Sequence, residues 1–343
     1  AGLSDDAWAE FVGKLDEALI EADGAGFRVT PMAENPELAK GVGFSGTLWV
    51  KDETGNVSGS HKARHLMNVM LYLRVIAAAK LPVADGLNGR RLAIASCGNA
   101  ALAAAVIARA ADWPLDVFIP PDASSVVVRR LQELGARITV CQRRQGEAGD
   151  PCFLRFLEAV RSGAIPFGVQ GSESGLAVEG ARTLAFEMAE GFAAAKQSPD
   201  VLYVQVGGGA LASALAQGFA LAVAGGLIAA SPRLMAVQTA ACAPLDRAWR
   251  RMTGIKPDDA ARHRSRFMWP WEHVPQSIAH GILDDETYDW LEIITAMRAT
   301  GGQPLVVDEV TLVQAHDYGR RLSGIRASAT GTAGLAGLLA DPP

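Results

Sequence analysis

Short β-branched runs alternate with Ala- and Leu-rich stretches along this chain, and this alternation constrains the fold more than any other feature. Residues 91–95, 115–119 and 137–140 read as strands, and residues 100–111 and 126–134 between them read as helices. A strand that alternates with a helix is typical of parallel sheets with helical crossovers. The sequence therefore predicts a βαβαβ unit over roughly residues 90–142.

A second series of the same kind follows. It contains a strand at 201–206, a helix at 211–223, strands at 234–238 and 305–307, and a last helix from residue 332. The two series together predict an α/β protein with two domains.

Composition excludes several functional classes. The chain has 343 residues, of which 49% are hydrophobic and 20% charged, and a formal net charge of −5, so we expect neither nucleic acid nor an acidic membrane surface as a partner. The apolar stretches are too short or too interrupted to span a bilayer. The first residues lack a secretory pattern, and the cysteines and histidines lack metal-ligand spacing, so we expect a cytoplasmic protein without a metal.

Lys62 follows a Gly59-Ser60-His61 sequence at the start of a predicted helix. A lysine amine can form an imine with an aldehyde cofactor, and a desolvated lysine can move a proton near neutral pH. The alternative is a solvated lysine in a first helical turn, and the segments downstream decide against it.

Gly207-Gly208-Gly209 lies between a predicted strand and a predicted helix that starts with Ala210-Leu211. Backbone N–H groups and the positive end of a helix can converge there on a phosphate, and glycine leaves room for it. A glycine triplet can also be a plain turn.

Ser96-Cys97-Gly98-Asn99 also connects a predicted strand to a predicted helix. Its N–H groups and the Ser96 hydroxyl can bind a carboxylate, while the Asn99 amide can bind a ring oxygen. Asn99 could instead cap the helix. Cys97 is not expected to be a nucleophile, because nothing beside it in sequence would lower its pKa.

In this order, the three segments resemble the fold-type II pyridoxal-phosphate (PLP) enzymes, which include threonine synthase, threonine and serine dehydratases and the tryptophan synthase β chain. The resemblance implies two three-layer α/β domains with mostly parallel twisted sheets and a PLP cleft between them. It implies a large PLP-binding domain of residues 1–60 and 168–343, a small substrate-loop domain of residues 61–167, and a homodimer. Weaker matches to the same family are Glu179–Glu187, Ala236–Gln238 with Cys242–Pro244, and Ser277–Ile282.

The resemblance also assigns roles to residues. Lys62 would be the catalytic residue that holds PLP, and the phosphate would lie on Gly207, Gly208, Gly209, Ala210 and Leu211. Asn99 would face the cofactor ring, and Ser60, Ser96, Cys97, Gly98 and Asn99 would bind the substrate.

Ser328–Ala336 resembles the segment in which the family places a hydroxyl on the pyridine nitrogen. Thr330 aligns best, with Thr332 and Ser328 as alternatives, and all three could merely cap a helix. A hydroxyl partner weakens PLP as an electron sink relative to an aspartate, which favours elimination and replacement over transamination.

Two departures from the family bear on the reaction. His61 stands where threonine synthases and dehydratases usually have phenylalanine, and Leu176-Ala177-Val178 stands where synthases that use phosphohomoserine tend to have an arginine. A distal substrate phosphate would find one cation fewer, although Arg64 or Arg182 could serve.

The sequence thus favours a PLP-dependent lyase of the threonine or serine dehydratase kind, which converts a small hydroxy or similarly β-substituted L-amino acid to a 2-oxo acid and ammonia. The alternatives are a synthase, either threonine synthase-like or β-replacing, and a catalytically silent binding protein with the same fold.

Overall fold

A computed structural model describes residues 3–87, 89–171 and 174–343. Ala1 and Gly2, which belong to the start used above for localisation, lie outside the described residues. The helices are α1 (Asp5–Asp23), α2 (Pro36–Gly41), α3 (Lys62–Ala78), α4 (Pro82–Asp85), α5 (Asn99–Ala110), α6 (Ser125–Glu133), α7 (Pro151–Arg161), α8 (Gly175–Ala195), α9 (Ala210–Ala224), α10 (Pro244–Arg251), α11 (Pro257–Ala261), α12 (Trp290–Thr300), α13 (Glu309–Ser323) and α14 (Ala329–Ala340). The strands are β1 (Met32–Glu34), β2 (Trp49–Lys51), β3 (Leu92–Ala95), β4 (Leu115–Ile119), β5 (Arg137–Val140), β6 (Ile165–Pro166), β7 (Val201–Gln205), β8 (Arg233–Thr239) and β9 (Gln303–Val307).

Contacts between residues divide the chain into two compact units. Unit 1 consists of Ala1–Val29 and Gly55–Ala181, and unit 2 consists of Thr30–Thr54 and Arg182–Pro343. This division differs from the sequence expectation at the N-terminus, because the contacts place α1 with the residues that follow Gly55. Leu15 and Leu19 on α1 are buried in the core of unit 1, and apolar burial decides where a helix packs. Which residues form a PLP-binding domain and which a substrate-loop domain remains a prediction.

Unit 1 contains a parallel sheet in the order β5-β4-β3-β6. β4 is buried along its whole length, as expected for a central strand of a parallel sheet with both faces covered. The Ala-rich helix α5 buries Ala101, Ala103 and Ala104 in the same core, and small side chains allow its close approach to the sheet. The predicted strands and helices of the first series are confirmed.

Unit 2 contains a second parallel sheet in the order β7-β8-β9 and an antiparallel pair, β1 with β2. Its main core lies where α9 and α12 pack, with Leu215, Phe219 and Ile293 fully or almost fully buried. A second cluster lies between α13 and α14 and the sheet. The α/β class with parallel sheets is therefore confirmed for both series.

A buried ion pair holds the β1–β2 pair to α8 within unit 2. Lys51 Nζ lies 2.6 Å from a carboxylate oxygen of Glu187 and donates a second hydrogen bond, of 2.6 Å, to the Thr30 carbonyl. The Thr30 N–H donates to the same Glu187 oxygen at 3.1 Å. Because both charges are nearly excluded from water, removal of either partner would leave an uncompensated buried charge.

Across the part of the chain that the structure describes, no helix is both long enough and apolar enough to cross a membrane.

Candidate active site

Lys62 is the first residue of α3, and a braced turn positions it. The turn contains Ser58 at φ 56° and Gly59 at φ 69°, which is left-handed backbone that favours glycine. Asp23 accepts a hydrogen bond of 2.6 Å from the Ser58 N–H, and the buried Asn56 side chain bonds both the Val57 N–H and the Ser60 carbonyl. The Ser60 hydroxyl then accepts from the Lys62 N–H at 3.4 Å. The start of α3 is therefore fixed by local contacts.

Two histidines lie close to Lys62 in sequence, His61 directly before α3 and His65 on it, and burial keeps both neutral. Burial lowers the pKa of His61 well below its ordinary value, and burial together with the nearby Lys62 charge lowers the pKa of His65 to about 3. His65 Nδ1 lies 2.9 Å from the Ala177 carbonyl oxygen, which can only accept, so Nδ1 carries the proton. The Nε2 atoms of both rings are buried, without a hydrogen-bond partner among the described residues. Lys62 is therefore not surrounded by competing cationic imidazoles.

The start of α8 packs tightly against α3 within unit 1. The Asn68 side chain donates a hydrogen bond of 2.9 Å to the Leu176 carbonyl. A Cβ atom on Gly180 would lie 2.3 Å from the Arg64 carbonyl oxygen and 2.6 Å from the Asn68 Cβ. Glycine is thus required at 180 by backbone contact. The Leu176–Val178 stretch offers carbonyl acceptors and apolar side chains to α3, and no cation.

The Ser96–Asn99 loop connects β3 to α5. The Ser96 hydroxyl accepts a hydrogen bond of 3.3 Å from the Gly98 N–H, and Gly98 is the N-cap residue of α5 without a side-chain cap. Asn99 is already the first helical residue, so the expectation that its side chain caps this helix is wrong. Cys97 and Asn99 are exposed. The Cys97 and Asn99 residues are therefore accessible at the start of α5.

The glycine triplet lies in unit 2 between β7 and α9, as predicted. Gly209 is the N-cap of α9 at φ +101°, a conformation in which a side chain would be strained. The Gly208 N–H donates a hydrogen bond of 2.9 Å to Asp284 Oδ2. A Cβ atom on Gly207 would lie 2.2 Å from the same oxygen and 2.9 Å from the Ile282 Cα. The triplet therefore provides an N–H group that already binds an anionic oxygen.

Thr330 is connected to the same region of unit 2. Its Oγ1 accepts a hydrogen bond of 2.9 Å from the Gly281 N–H, and Gly281 in turn lies against Gly207. Ser328 is the N-cap of α14 and Thr332 bonds back to helix carbonyls. Of the three candidate hydroxyls, only the Thr330 hydroxyl bonds outside α14 in the contacts of the described residues. The O–H hydrogen of Thr330 remains able to donate.

Three residues near the triplet were missed by the sequence interpretation. Asp284 binds Gly208, the Thr287 hydroxyl donates 2.9 Å to the Gly207 carbonyl, and the fully buried Gln238 donates 3.3 Å to the Val206 carbonyl. The only signal that could have located Asp284 and Thr287 is their position just after the family-like Ser277–Ile282 element. Gln238 carried a weak signal, because Ala236–Gln238 resembles a threonine synthase segment, but the sequence interpretation gave it no role at the site.

The structure thus places the predicted residues in two groups. Lys62, Ser60 and the Ser96–Asn99 loop belong to unit 1, whereas the Gly207–Leu211 segment and Thr330 belong to unit 2. Each group lies at the ends of parallel strands or at helix starts, where α/β proteins commonly bind ligands.

Comparison with known proteins identifies the class. A family model described as pyridoxal-phosphate dependent enzyme matches residues 25–343. The chain belongs to this family, and the cofactor is accordingly pyridoxal 5'-phosphate.

Individual relatives have different activities in their names. The threonine synthase of Mycobacterium leprae is 26% identical over 318 residues, which cover 90% of this chain and 75% of that protein. A serine dehydratase-like protein of Rattus norvegicus is 28% identical over 192 residues, which cover 56% of this chain and 52% of that protein. The structure of the processed form of threonine deaminase isoform 2 from Solanum lycopersicum matches with a TM-score of 0.68 at 15% identity, over 99% of this chain and 85% of that one. The last likeness establishes the shared fold.

The residues present fit PLP. The Gly208 N–H donates to the carboxylate oxygen of Asp284, and a phosphate oxygen needs a donor of the same kind. Thr330 has a hydroxyl hydrogen to donate, and Lys62 stands at a helix start with neutral histidines beside it. Among the described residues there is no cluster of histidine, cysteine and acidic side chains that could hold a metal.

Proposed function

We propose that this protein is a PLP-dependent lyase that acts on threonine or serine, or on a similarly β-substituted small L-amino acid, and releases a 2-oxo acid and ammonia. The family supplies the cofactor, and contacts within the site support the choice of reaction. PLP, when bound, withdraws electrons from the α-carbon of an amino acid.

The chain's own residues would bind the reactants and move the proton. The Gly207–Leu211 segment would bind the cofactor phosphate, and the Thr330 hydroxyl would be the partner of the ring nitrogen. The N–H groups of Ser96–Asn99, with the Ser60 and Ser96 hydroxyls, would bind the substrate carboxylate, and the Asn99 amide would bind the cofactor ring. The Lys62 amine would take the α-proton, because burial holds the neighbouring His61 and His65 neutral and makes them poor bases.

One observation favours a dehydratase over a synthase that takes a phosphorylated substrate. Leu176–Val178 contains apolar side chains, of which Ala177 and Val178 are buried, and its Ala177 and Leu176 carbonyls accept from His65 and Asn68. This stretch therefore offers no cation to a substrate phosphate. Arg182, one of the two arginines that could compensate, donates to the Gln217 amide at 3.0 Å through Nε, and Gln217 is in turn bonded to Ser213. A phosphate without cations would lose charge-assisted bonds worth about 1.5–3 kcal/mol each.

The experiment compares kcat/KM for L-threonine, L-serine and O-phosphohomoserine. We expect 2-oxo acid from threonine or serine at a higher kcat/KM than any product from O-phosphohomoserine. Asn99→Ala is expected to lower all three values, because it disturbs the cofactor and the substrate alike.

The second candidate is a threonine synthase-like reaction, which the 90% coverage of this chain by the Mycobacterium leprae threonine synthase favours. Efficient formation of threonine from O-phosphohomoserine would establish this candidate against our proposal. Binding of PLP without turnover of any of the three substrates would favour a silent binding protein.

A further inference from the structure

The proposed phosphate site holds a carboxylate of the chain itself. Asp284 Oδ2 accepts a hydrogen bond of 2.9 Å from the Gly208 N–H, and it lies so close above Gly207 that a Cβ atom there would be 2.2 Å away. A phosphate on the same glycines needs the same N–H donor and the same space. A carboxylate and a phosphate oxygen are equivalent acceptors for such a group.

The carboxylate is placed there by a segment that is firmly attached to the triplet. The Thr287 hydroxyl donates 2.9 Å to the Gly207 carbonyl, and the Asp289 N–H donates 3.1 Å to the Gly208 carbonyl. The fully buried Gln238 amide bonds Val206 and Thr287 and accepts from the Leu245 N–H. The backbone of the segment is therefore held against the triplet, and an exchange with a phosphate would require a movement of the Asp284 carboxylate.

The surroundings of Asp284 are acidic. Burial, and after it the charges of Asp284 and Asp285, raise the pKa of the nearby Cys242 thiol to about 12. Like charges close together are costly when both are partly shielded from water. A phosphate that entered beside an ionised Asp284 would find the Gly208 N–H already hydrogen-bonded, and the Asp284 charge would repel it.

We infer that Asp284 is an intramolecular competitor of the cofactor phosphate, which occupies the Gly208 N–H and leaves it when a phosphate-bearing ligand binds. The inference rests on the proposed phosphate role of Gly207–Leu211. Its consequence is specific: Asp284 weakens the binding of ligands that carry the phosphate and leaves the binding of the same ring without the phosphate unchanged.

The experiment measures the dissociation constants of PLP and of pyridoxal, which lacks the phosphate, with cofactor-free protein. Wild type is compared with Asp284→Asn, which is isosteric, and with Asp284→Ala. Asp285→Asn is the matched control, because it removes the same charge from the next residue. Binding of inorganic phosphate is measured by the shift of the thermal unfolding midpoint. This ligand tests the glycine segment alone, because it has no ring and forms no bond with Lys62.

We expect Asp284→Ala to bind PLP and inorganic phosphate at least about tenfold more tightly than wild type, with Asp284→Asn between the two. The affinity for pyridoxal should stay within about twofold of wild type in all variants. Asp285→Asn should change the affinity for PLP by less than about threefold, because the Asp285 carboxylate does not accept from the Gly208 N–H.

Equal or weaker binding of phosphate and PLP by both Asp284 variants would overturn the inference, as would a matching gain for pyridoxal. A failure of this inference can be distinguished from a failure of the proposed function. Borohydride reduction that fixes no PLP on Lys62 would refute the proposed function, while a gain in inorganic phosphate affinity on removal of Asp284 would still support the competition.

Discussion

Replacement of Gly180 by alanine tests how the start of α8 positions Lys62. The new Cβ atom would lie 2.3 Å from the Arg64 carbonyl oxygen and 2.6 Å from the Asn68 Cβ. The nearest of these atoms belongs to the backbone of α3, so neither a side-chain rotation nor a small shift removes the clash. Overpacking of this kind costs roughly 1–3 kcal/mol. Alanine also favours a helix over glycine by about 0.8–1 kcal/mol, so we expect a net loss of up to about 2 kcal/mol in the free energy of unfolding.

The same helix offers two matched controls. A Cβ atom on Gly175 would meet no described residue within 4 Å, and one on Gly191 would meet the flexible end of the Met32 side chain at 2.6 Å. We therefore expect Gly175→Ala to be neutral or slightly stabilising and Gly191→Ala to lose less than Gly180→Ala. Urea unfolding gives the free energies for the three variants.

The functional effect should accompany the loss of stability. Arg64 is two residues beyond Lys62 on α3, so a displaced Arg64 backbone moves the helix start that carries the amine. A misplacement of about 1 Å can cost roughly a hundredfold in rate, and we expect kcat/KM of Gly180→Ala to fall while Gly175→Ala keeps the wild-type value. If Gly180→Ala proved as stable and as active as Gly175→Ala, the reasoning from backbone contact would be refuted.

Three further predictions follow from the site. Borohydride reduction of the PLP-loaded protein should fix the cofactor on Lys62, as peptide mass analysis would show, and a label on any other lysine would contradict the assignment. Thr330→Val should lower kcat/KM by about tenfold or more, whereas Thr330→Ser should keep a value near wild type, because it retains the hydroxyl that bonds Gly281 and can donate. Equal losses in the two variants would argue for a packing role of Thr330. Burial and the Lys62 charge hold the pKa of His65 in the folded protein at about 3. Between pH 6.5 and 3, His65 is therefore protonated in the unfolded chain but not in the folded one. The free energy of unfolding falls as the pH is lowered through this range, by at most about 1.4 kcal/mol per pH unit. Urea unfolding at pH 7 and pH 5 should show a smaller loss for His65→Gln than for wild type, and an equal loss would contradict the assignment.

Periodicity and residue type were sufficient for most of the sheet framework. The strands predicted at 115–119 and 137–140 are observed with these bounds, and the helix predicted at 211–223 is observed as Ala210–Ala224. A long helix or a strongly β-branched strand can be predicted from the residue pattern within the element. Met32–Glu34, Trp49–Lys51 and Ile165–Pro166 were not predicted, because two- and three-residue strands have no periodicity and depend on their partners.

The candidate site divides in the same way. Lys62, the Ser96–Asn99 loop and the glycine triplet were located from sequence, because each needs particular residue types between a strand and a helix or at a helix start. Asn99 was also read as a possible cap, and the structure assigns that position to Gly98. The difference is one residue, which local pattern does not resolve.

The sequence by itself determined the α/β class, the order of the chemical segments and the family resemblance, because these depend on periodicity and on residue types at short spacing. Tertiary structure alone decided that Asp284 occupies the Gly208 N–H, that Gly180 must be glycine, and that Thr330 contacts Gly281. Each of these contacts joins residues far apart in sequence. Their existence depends on how helices and loops pack, and no local pattern of residues encodes that packing.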